Sequence, residues 1–257
     1  MKVNVSIHDF APLLRGHEYL FRRLKDTGID GIELAIGVKS RWSAKHYRAL
    51  SLKYNLPIES LHQPVWAWLD LYFDEGFFAI AKELNVKYVT CHPLPKISYH
   101  SKRMRTYFKR LADIQKRTGV KILIENMPEK YNPRLLRLFF PQNASTRDIL
   151  SLHAVITEFG LHMTLDIDHL QSPRPHTELY FKTIYPAIKN IHLSSFDEEN
   201  RHLPLHMGDF KAVEFIQQLK KMKYKGLLTF EINYPGLFTY FDYDFAVIRK
   251  SVEIVKG

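Results

Sequence analysis

The sequence lacks several features that would place it in other classes of protein. Its 257 residues contain one cysteine, Cys91, which excludes an internal disulfide and agrees with a reducing cytoplasm. No apolar run approaches the roughly 20 residues of a membrane span, and residues 1–5 lack the apolar core of a signal peptide. No low-complexity tract or Gly/Ser linker divides the chain. We therefore expect a cytoplasmic protein without a membrane partner, built as one domain over residues 1–257.

The charge of the chain leaves two interpretations open. The formal net charge is +10, from 37 Lys and Arg against 27 Asp and Glu. This charge suits an anionic partner, such as nucleic acid or a sugar phosphate, or else a solvated basic surface. We favour the solvated surface, because the basic residues are dispersed rather than massed in one block. A strongly basic amphipathic helix is nevertheless predicted at residues 101–118, ended by Gly119.

Apolar segments of strand length alternate with segments that have the apolar spacing of helices. In Lys121-Ile122-Leu123-Ile124-Glu125, an apolar run typical of a buried parallel strand ends in a carboxylate shortly before Pro128. Strands are predicted at residues 3–7, 31–36, 57–62, 86–92, 121–127, 162–166, 189–194 and 226–232. Helices are predicted at residues 13–25, 43–54, 70–84, 101–118, 145–159, 177–185, 211–222 and 242–255.

Eight strand–helix units predict an α/β fold with a parallel sheet. Eight is the number at which such a sheet closes, and about 250 residues is the usual length of a (β/α)8 TIM barrel. The alternative, an open doubly wound sheet, would need a Gly-rich phosphate turn after the first strand, and the sequence has none there. We therefore predict a single (β/α)8 barrel.

The predicted strands end in acids and imidazoles. Because the carboxyl ends of barrel strands converge on one face, these side chains are expected to meet there. Without balancing Lys or Arg they would repel one another unless a divalent cation neutralised them; Zn or Mn suits such ligands best, with Fe or Co as alternatives. The residues are Glu33, His62, His92, Glu125, Asp166, His169, His192, His202, His206 and Glu231. Glu33 is the weakest candidate, since it could line a pocket or pair with Arg41.

The motifs that carry these residues resemble, in order and spacing, those of the xylose-isomerase-like barrel superfamily. That group includes sugar phosphate isomerases and epimerases and the endonuclease IV-like branch, AP endonuclease family 2. The resemblance extends over nearly the whole chain. The matching motifs are Leu61-His62-Gln63-Pro64, Cys91-His92-Pro93, Ile124-Glu125-Asn126-Met127-Pro128, Leu165-Asp166-Ile167-Asp168-His169, Ile191-His192-Leu193, His202-Leu203-Pro204-Leu205-His206-Met207-Gly208-Asp209-Phe210 and Leu228-Thr229-Phe230-Glu231.

The resemblance implies sites for one to three metal ions. The shared metal ligands of the superfamily correspond to Glu125, Asp166, His192 and Glu231. In the endonuclease branch a second metal would take Glu125 with His62 and His92, and a third would take His169 and His202 with an aspartate. At the place of that aspartate this chain has Asn200, which brings no charge, and His206-Met207-Gly208 replaces the usual Gly-Glu-Gly.

Two enzymatic functions follow from this resemblance. As an isomerase or epimerase of a small sugar or sugar phosphate, the protein would move a proton through a metal-bound enediolate, with Glu125 and Glu231 as base and acid. His169 and Arg201 would hold substrate oxygens, and Trp66 would form part of the pocket wall. As an endonuclease, it would hydrolyse a phosphodiester of abasic-site DNA with two or three metals.

We rank the isomerase first. The segments from His62 to His92 and from Asp166 to His192 are too short for long DNA-gripping loops, although the two histidines and the net charge favour hydrolysis. The long connection over residues 129–143 could cap a small pocket, wedge into DNA or form the contact of a homo-oligomer. A barrel that serves only as a binding protein is the third alternative, and the intact metal ligands argue against it.

Overall fold

The computed structural model is a closed barrel of eight parallel strands surrounded by helices. It describes residues 1–8, 16–36, 44–63, 75–94, 97–127, 149–170, 180–197, 202–232 and 244–257. Each strand pairs with its neighbours in chain order, and the first strand closes the barrel against the last. The predicted (β/α)8 fold is confirmed, whereas the extent of the domain over residues 1–257 stays a prediction.

The strands are short and the helices lie between them in the chain. The strands are β1 Lys2–His8, β2 Gly31–Ala35, β3 Ile58–His62, β4 Tyr88–Cys91, β5 Lys121–Glu125, β6 His162–Asp166, β7 Ile188–Leu193 and β8 Leu227–Phe230. The helices are α1 Gly16–Lys25, α2 Ala44–Tyr54, α3 Glu75–Glu83, α4 Lys102–Thr118, α5 Ile149–Glu158, α6 Tyr180–Ile184, α7 Ala212–Lys221 and α8 Phe245–Lys256. Short 3-10 turns occupy Asp168–Leu170 and Tyr185–Ala187.

The predicted strands agree with the observed ones to within a few residues. Pro57 precedes β3, and β4 begins at Tyr88, two residues later than predicted. His92 directly follows β4 rather than ending it. The helix starts predicted at residues 13, 43, 70, 145, 177 and 242 lie outside the described residues, as does Pro128.

In helix α4 the sequence determines both the face that packs against the barrel and the residues at which the helix begins and ends. Its apolar residues recur three and four positions apart, and they are buried against the strands: Met104, Tyr107, Phe108, Leu111 and Ile114. The Ser101 side chain accepts a hydrogen bond of 3.2 Å from the Met104 N–H and caps the first turn. Gly119 ends the helix at φ +74°, a left-handed conformation that glycine adopts without strain. The boundaries predicted for this helix are confirmed.

The inside of the barrel is largely polar above an apolar floor. Alternation along β5 places Ile122 and Ile124 outward, against the helices, and Leu123 and Glu125 inward. Leu123 packs with Tyr88 and Leu227 near the amino ends of the strands. Most TIM barrels fill this space with branched apolar side chains. Here side-chain hydroxyl and amide groups fill the layer between the apolar Leu123 cluster and the acids and imidazoles at the carboxyl ends of the strands.

Two hydrogen-bonded pairs span this polar interior. The hydroxyls of Thr90 and Thr164 are 2.9 Å apart, and the Thr229 hydroxyl donates to Asn190 Oδ1 at 2.8 Å. All four side chains are fully buried. Because buried polar groups are stable only when they are paired, these bonds keep the interior polar without a large cost.

None of the helices in the described ranges has both the length and the apolarity that a membrane span requires.

Candidate metal centre

Glu125 is the centre of the cluster. Its side chain is 1% exposed at the carboxyl end of β5, and each of its oxygens faces histidines from other strands. Oε1 lies 3.2 Å from His192 Nδ1, while Oε2 lies 3.2 Å from His62 Nε2 and 3.0 Å from His92 Nε2. One carboxylate therefore joins the ends of four strands, β3, β4, β5 and β7.

Two further carboxylates complete this group. Glu231, directly after β8, places Oε2 at 2.8 Å from His192 Nδ1. Asp166, at the end of β6, places Oδ2 at 3.8 Å from the same nitrogen. Within the described part of the chain, every ion-pair contact of Glu125, Asp166 and Glu231 is to a histidine, and none is to a lysine or arginine. Within the described residues, the four residues named by the resemblance thus lie together without a lysine or arginine partner.

The donor set fits a divalent cation. Asp166 Oδ2 and Glu231 Oε2 are buried, and neither has an aligned hydrogen-bond partner, although Glu231 Oε2 lies 2.8 Å from His192 Nδ1. A buried carboxylate oxygen left in this way is costly, and a cation would satisfy it. Mixed imidazole and carboxylate ligands suit Zn, Mn, Fe or Co. The ligand atoms of His62, Glu125, His192 and Glu231 all lie within 4.8 Å of one another.

Gln63 holds the two histidines on the β3–β4 side. His62 Nδ1 lies 2.6 Å from the Gln63 carbonyl, so Nδ1–H donates there and Nε2 is the nitrogen that faces Glu125. The Gln63 side-chain oxygen accepts a hydrogen bond of 2.8 Å from the His92 N–H. The His92 carbonyl in turn accepts from the Tyr107 hydroxyl of α4 at 2.9 Å. This frame orients His62 as a metal ligand would need to be.

A second group of possible ligands lies beside the first. It consists of Asp166, His169 and His202, whose ligand atoms lie within 4.8 Å of one another. His169 Nδ1 is 2.8 Å from the Asn126 carbonyl, which leaves Nε2 available. Asn126 also bridges β5 to β6, because its side chain bonds the N–H and carbonyl of Asp166 at 2.8 and 2.9 Å.

Asp168 lies next to this second group. Its Oδ2 is 3.6 Å from His202 Nε2, and its Oδ1 accepts a hydrogen bond of 3.4 Å from the His202 N–H. The side chain is nearly fully buried. Asn200, where the resemblance would place an aspartate, lies outside the described residues. A carboxylate from the β6 turn is thus present beside His202, which the sequence analysis did not propose.

Glu33 lies beneath the cluster rather than at its rim. Its Oε2 accepts hydrogen bonds from the Ser60 hydroxyl at 2.8 Å and from Asn190 Nδ2 at 3.0 Å. Its Oε1 lies 3.0 Å from His192 Nε2, the nitrogen that faces away from Glu125. Glu33 Oε1 and His192 Nε2 are both buried, and neither has an aligned hydrogen-bond partner.

Burial and the surrounding histidines act on the pKa values of the carboxyls in opposite directions. Burial raises the pKa of Glu125, but His192 and the other nearby histidines outweigh it and hold the pKa well below its usual range. The same balance lowers the pKa of Glu231. At Asp166 burial prevails and raises the pKa. Glu125 and Glu231 are therefore carboxylates at neutral pH.

Burial and the nearby carboxylates also shift the pKa values of the histidines in opposite directions. Burial lowers the pKa of His62, but the contact with Glu125 outweighs burial and raises the pKa to about 9. Burial lowers the pKa of His202, yet the nearby carboxylates raise it to about 8. The pKa of His192 also rises, whereas burial prevails at His92 and lowers its pKa.

The structure therefore brings together the eight residues named as metal ligands, in two adjoining groups. Their roles as ligands stay proposals. Arg201 and Trp66, named as substrate contacts, lie outside the described residues, and so does Arg41, the alternative partner considered for Glu33. Sequence reasoning gave no role to Gln63, Asn126 or Asp168. The only available signal was position: Gln63 and Asn126 directly follow the strand-end residues His62 and Glu125, and Asp168 directly precedes His169 in the turn after β6.

Comparisons with known proteins agree with this fold. A family model described as "Xylose isomerase-like TIM barrel" matches residues 77–256, well over half of the chain. The chain belongs to this family. This match confirms the resemblance to the xylose-isomerase-like barrels that the strand-end motifs indicated.

Two curated relatives come from Methanocaldococcus jannaschii. The uncharacterised protein MJ1311 is 28% identical over 167 residues, which cover 61% of this chain and 53% of the relative. The uncharacterised protein MJ1188 is 25% identical over 161 residues, which cover 60% and 55%. The chain thus matches about half the length of these relatives.

Solved structures share the fold at low sequence identity. A D-allulose 3-epimerase from Methylomonas sp., in complex with D-allulose, has a TM-score of 0.70 and 18% identity, covering 99% of this chain and 96% of that one. An AP endonuclease, family 2, from Brucella melitensis has a TM-score of 0.68 and 14% identity, covering 92% and 95%. These likenesses support the barrel and leave the reaction open.

Proposed function

We propose that this protein is a divalent-metal-dependent isomerase or epimerase of a small sugar or sugar phosphate. The observation that carries the proposal is the convergence of Glu125, Asp166, His192 and Glu231 at the carboxyl end of the barrel, with two buried carboxylate oxygens that have no aligned hydrogen-bond partner. The similarity in fold to a D-allulose 3-epimerase supports it. A cytoplasmic location remains part of the proposal.

The four residues would hold the cation, with His62 adjoining them. When bound, the cation would act as a Lewis acid that lowers the energy of negative charge on adjacent carbonyl and hydroxyl oxygens. The residues around it would exclude water and orient the substrate, because the cluster lies at the end of a closed barrel with little exposure.

Glu125 and Glu231 would carry the proton transfer. Both have lowered pKa values and are ionised at neutral pH, so either can accept a proton from the carbon beside the carbonyl. They approach His192 Nδ1 from the ends of different strands, β5 and β8, at 3.2 and 2.8 Å. One would remove the proton and the other would return it. His169, with Nδ1 bonded to the Asn126 carbonyl, would present Nε2 to a substrate hydroxyl.

Solvent isotope exchange tests this proposal. The protein loaded with Mn²⁺ or Zn²⁺ is incubated in D2O with free and phosphorylated ketoses, and the sugars are analysed by NMR. We expect deuterium at the carbon next to the carbonyl, together with an isomer or epimer. Glu231→Gln should abolish exchange, whereas Glu214→Gln, an exposed change of equal charge on α7, should leave it unchanged. Absence of exchange from every ketose in the metal-loaded protein would refute the proposal.

Endonuclease activity is the second candidate, for one specific reason. His62 Nε2 and His92 Nε2 both lie within 3.2 Å of Glu125 Oε2, which is an arrangement suited to a second metal. Two metals could position and activate a water for attack on a phosphodiester. Incision of an abasic-site oligonucleotide by the metal-loaded protein would place this function first. One tightly held ion favours the isomerase, and two or more favour the hydrolase.

A further inference from the structure

The outer wall of the barrel carries a concentrated positive charge on helix α4. Its 17 residues contain seven Lys or Arg and one acid, Asp113. Six of the seven occur as pairs that are spaced seven residues apart, and all six are exposed. We call these six residues the basic stripe: Lys102, Arg103, Lys109, Arg110, Lys116 and Arg117.

Helix geometry places the pairs in one line. Seven residues are slightly less than two turns, so successive pairs drift by only about 20° and follow one another about 10 Å apart along the helix. The stripe is therefore about 20 Å long. The opposite face of α4 is apolar and buried against the barrel, so the cations point to solvent. Seven of the 37 Lys and Arg of the chain belong to this one helix.

A groove adjoins the first two pairs of the stripe. It has a volume of about 490 Å³ and lies between α4 and the end of α5. Its lining residues are His100, Lys102, Arg105, Thr106, Lys109 and Phe159. Arg105 is held by a hydrogen bond of 2.9 Å to Glu158 and lies over the Phe159 ring, 5.3 Å from its centroid. The stripe thus borders a concave surface with an aromatic wall.

We propose that the basic stripe and this groove bind single-stranded nucleic acid through its phosphate backbone, independently of sequence. Evenly spaced cations suit a partner whose negative charges recur regularly. A basic groove with an aromatic side chain is the usual construction of such sites, because each nucleotide offers a phosphate and an aromatic face. The interaction would be electrostatic and would fall steeply with salt.

A membrane surface is the less suitable partner. A helix that binds lipid buries an exposed apolar face in the bilayer, but the apolar face of α4 is packed in the protein core. Within the described residues, the exposed large apolar side chains are Met1, Leu52, Leu150, Met207 and Val213, and none belongs to α4. The basic stripe therefore has the positive charge that attracts an anionic membrane but lacks the exposed apolar surface that would insert into it. The proposal does not rest on the sugar chemistry, because the stripe runs down the outer wall and not across the metal centre.

Two triple variants with the same change of charge test this inference. The stripe variant is Lys102→Gln, Lys109→Gln and Lys116→Gln. The control changes three other exposed lysines, Lys220, Lys221 and Lys225, to glutamine. Fluorescence anisotropy measures binding of labelled oligo-dT and oligo-rU of about 20 nucleotides, between about 50 and 300 mM KCl. Vesicles rich in phosphatidylserine form the lipid arm.

The parent protein should bind both oligonucleotides, and the logarithm of its affinity should fall linearly with the logarithm of the salt concentration. In the stripe variant the magnitude of the slope of log affinity against log salt concentration should decrease by about 2, since each lost phosphate contact removes about 0.7. The affinity of this variant at low salt should fall at least about tenfold. The control should stay within about twofold of the parent. Preference between the DNA and RNA arms identifies the sugar of the ligand.

Three results would overturn the inference. The first is no binding at the lowest salt, and the second is an equal loss in both triple variants, which would mean that only net charge matters. The third is tighter binding to the vesicles that the stripe variant abolishes. Circular dichroism melts check that each variant folds. If the stripe triple variant melts early, Lys109→Gln alone should still reduce the slope by about 0.7, and an unchanged slope would count against the proposal.

Discussion

Changing Glu33 to glutamine separates a positioning role for this residue from a merely structural one. Ser60 and Asn190 donate to its Oε2, and Oε1 faces His192 Nε2 at 3.0 Å. In the metal-loaded protein, a carboxylate there would keep the proton of the imidazole on Nε2 and leave the lone pair of Nδ1 for the cation. The glutamine side chain has nearly the same shape, so it fills the same space in the barrel.

The amide would reverse this pattern. Ser60 and Asn190 still require an oxygen, so the amide NH2 of the new side chain would point to His192 Nε2. That nitrogen would then accept, and the proton would move to Nδ1, where a metal should bind. Losing such a supporting carboxylate typically weakens metal binding by about 10- to 100-fold, or about 1.4 to 2.7 kcal/mol. If Glu33 only filled space in the barrel, its replacement by glutamine would not weaken metal binding.

Competition with a chelating dye measures the affinity for Zn²⁺ and Mn²⁺, and nitrogen-15 NMR of the imidazoles reports the tautomer of His192. The matched control is Glu59→Gln, on the neighbouring strand β3, where the side chain pairs with Lys2 near solvent. We expect weaker binding and a changed tautomer only for Glu33→Gln, with both variants folded. Metal affinity within twofold of the parent, or an unchanged tautomer, would refute the assigned role.

The remaining predictions concern the metal, protons and the loop after β7. Glu125→Gln should abolish tight divalent-metal binding, because one carboxylate serves both sides of the cluster; unchanged metal content by elemental analysis would reject this assignment. Metal binding at pH 7 should release protons, since the raised pKa values of His62 (about 9) and His202 (about 8) keep both protonated there. Calorimetry in buffers of different ionisation enthalpy should show this release disappearing above about pH 9, and a release that is independent of pH would contradict it. Gly208→Ala should lower stability by about 1 to 3 kcal/mol in urea unfolding, because Gly208 has φ +71° and an added Cβ would lie 2.5 Å from the Phe196 carbonyl oxygen; an unchanged midpoint would count against it.

Much of the candidate metal centre could be predicted because the strand ends are local features of the sequence. An apolar run that stops at Glu125, or at Asp166, identifies the end of a strand and the side chain placed there. The order of the units then predicts that these ends share one face. No such pattern marks Gln63 or Asn126, whose contributions are hydrogen bonds to residues on neighbouring strands.

Strand register decided the role of Glu33. The register between β2 and β3 shifts after Ile32, so that Glu33 lies beside Ser60 rather than beside Glu59. A similar shift between β6 and β7 skips Lys189 and pairs Asp166 with His192. In each case the extra residue is on the neighbouring strand, Glu59 on β3 and Lys189 on β7, so the irregularity brings Ser60 beside Glu33 and His192 beside Asp166.

By itself, the sequence determined the eight strand–helix units, their closure into a barrel and the polar side chains at the strand ends. These features depend on periodicities of two and 3.6 residues, which are properties of the local backbone. Only the tertiary structure decided that Glu33 supports His192, that Asp168 lies beside His202 and that the interior is lined with hydroxyls and amides. Those contacts join residues far apart in the chain, and the register of the closed barrel sets the height at which each side chain enters it.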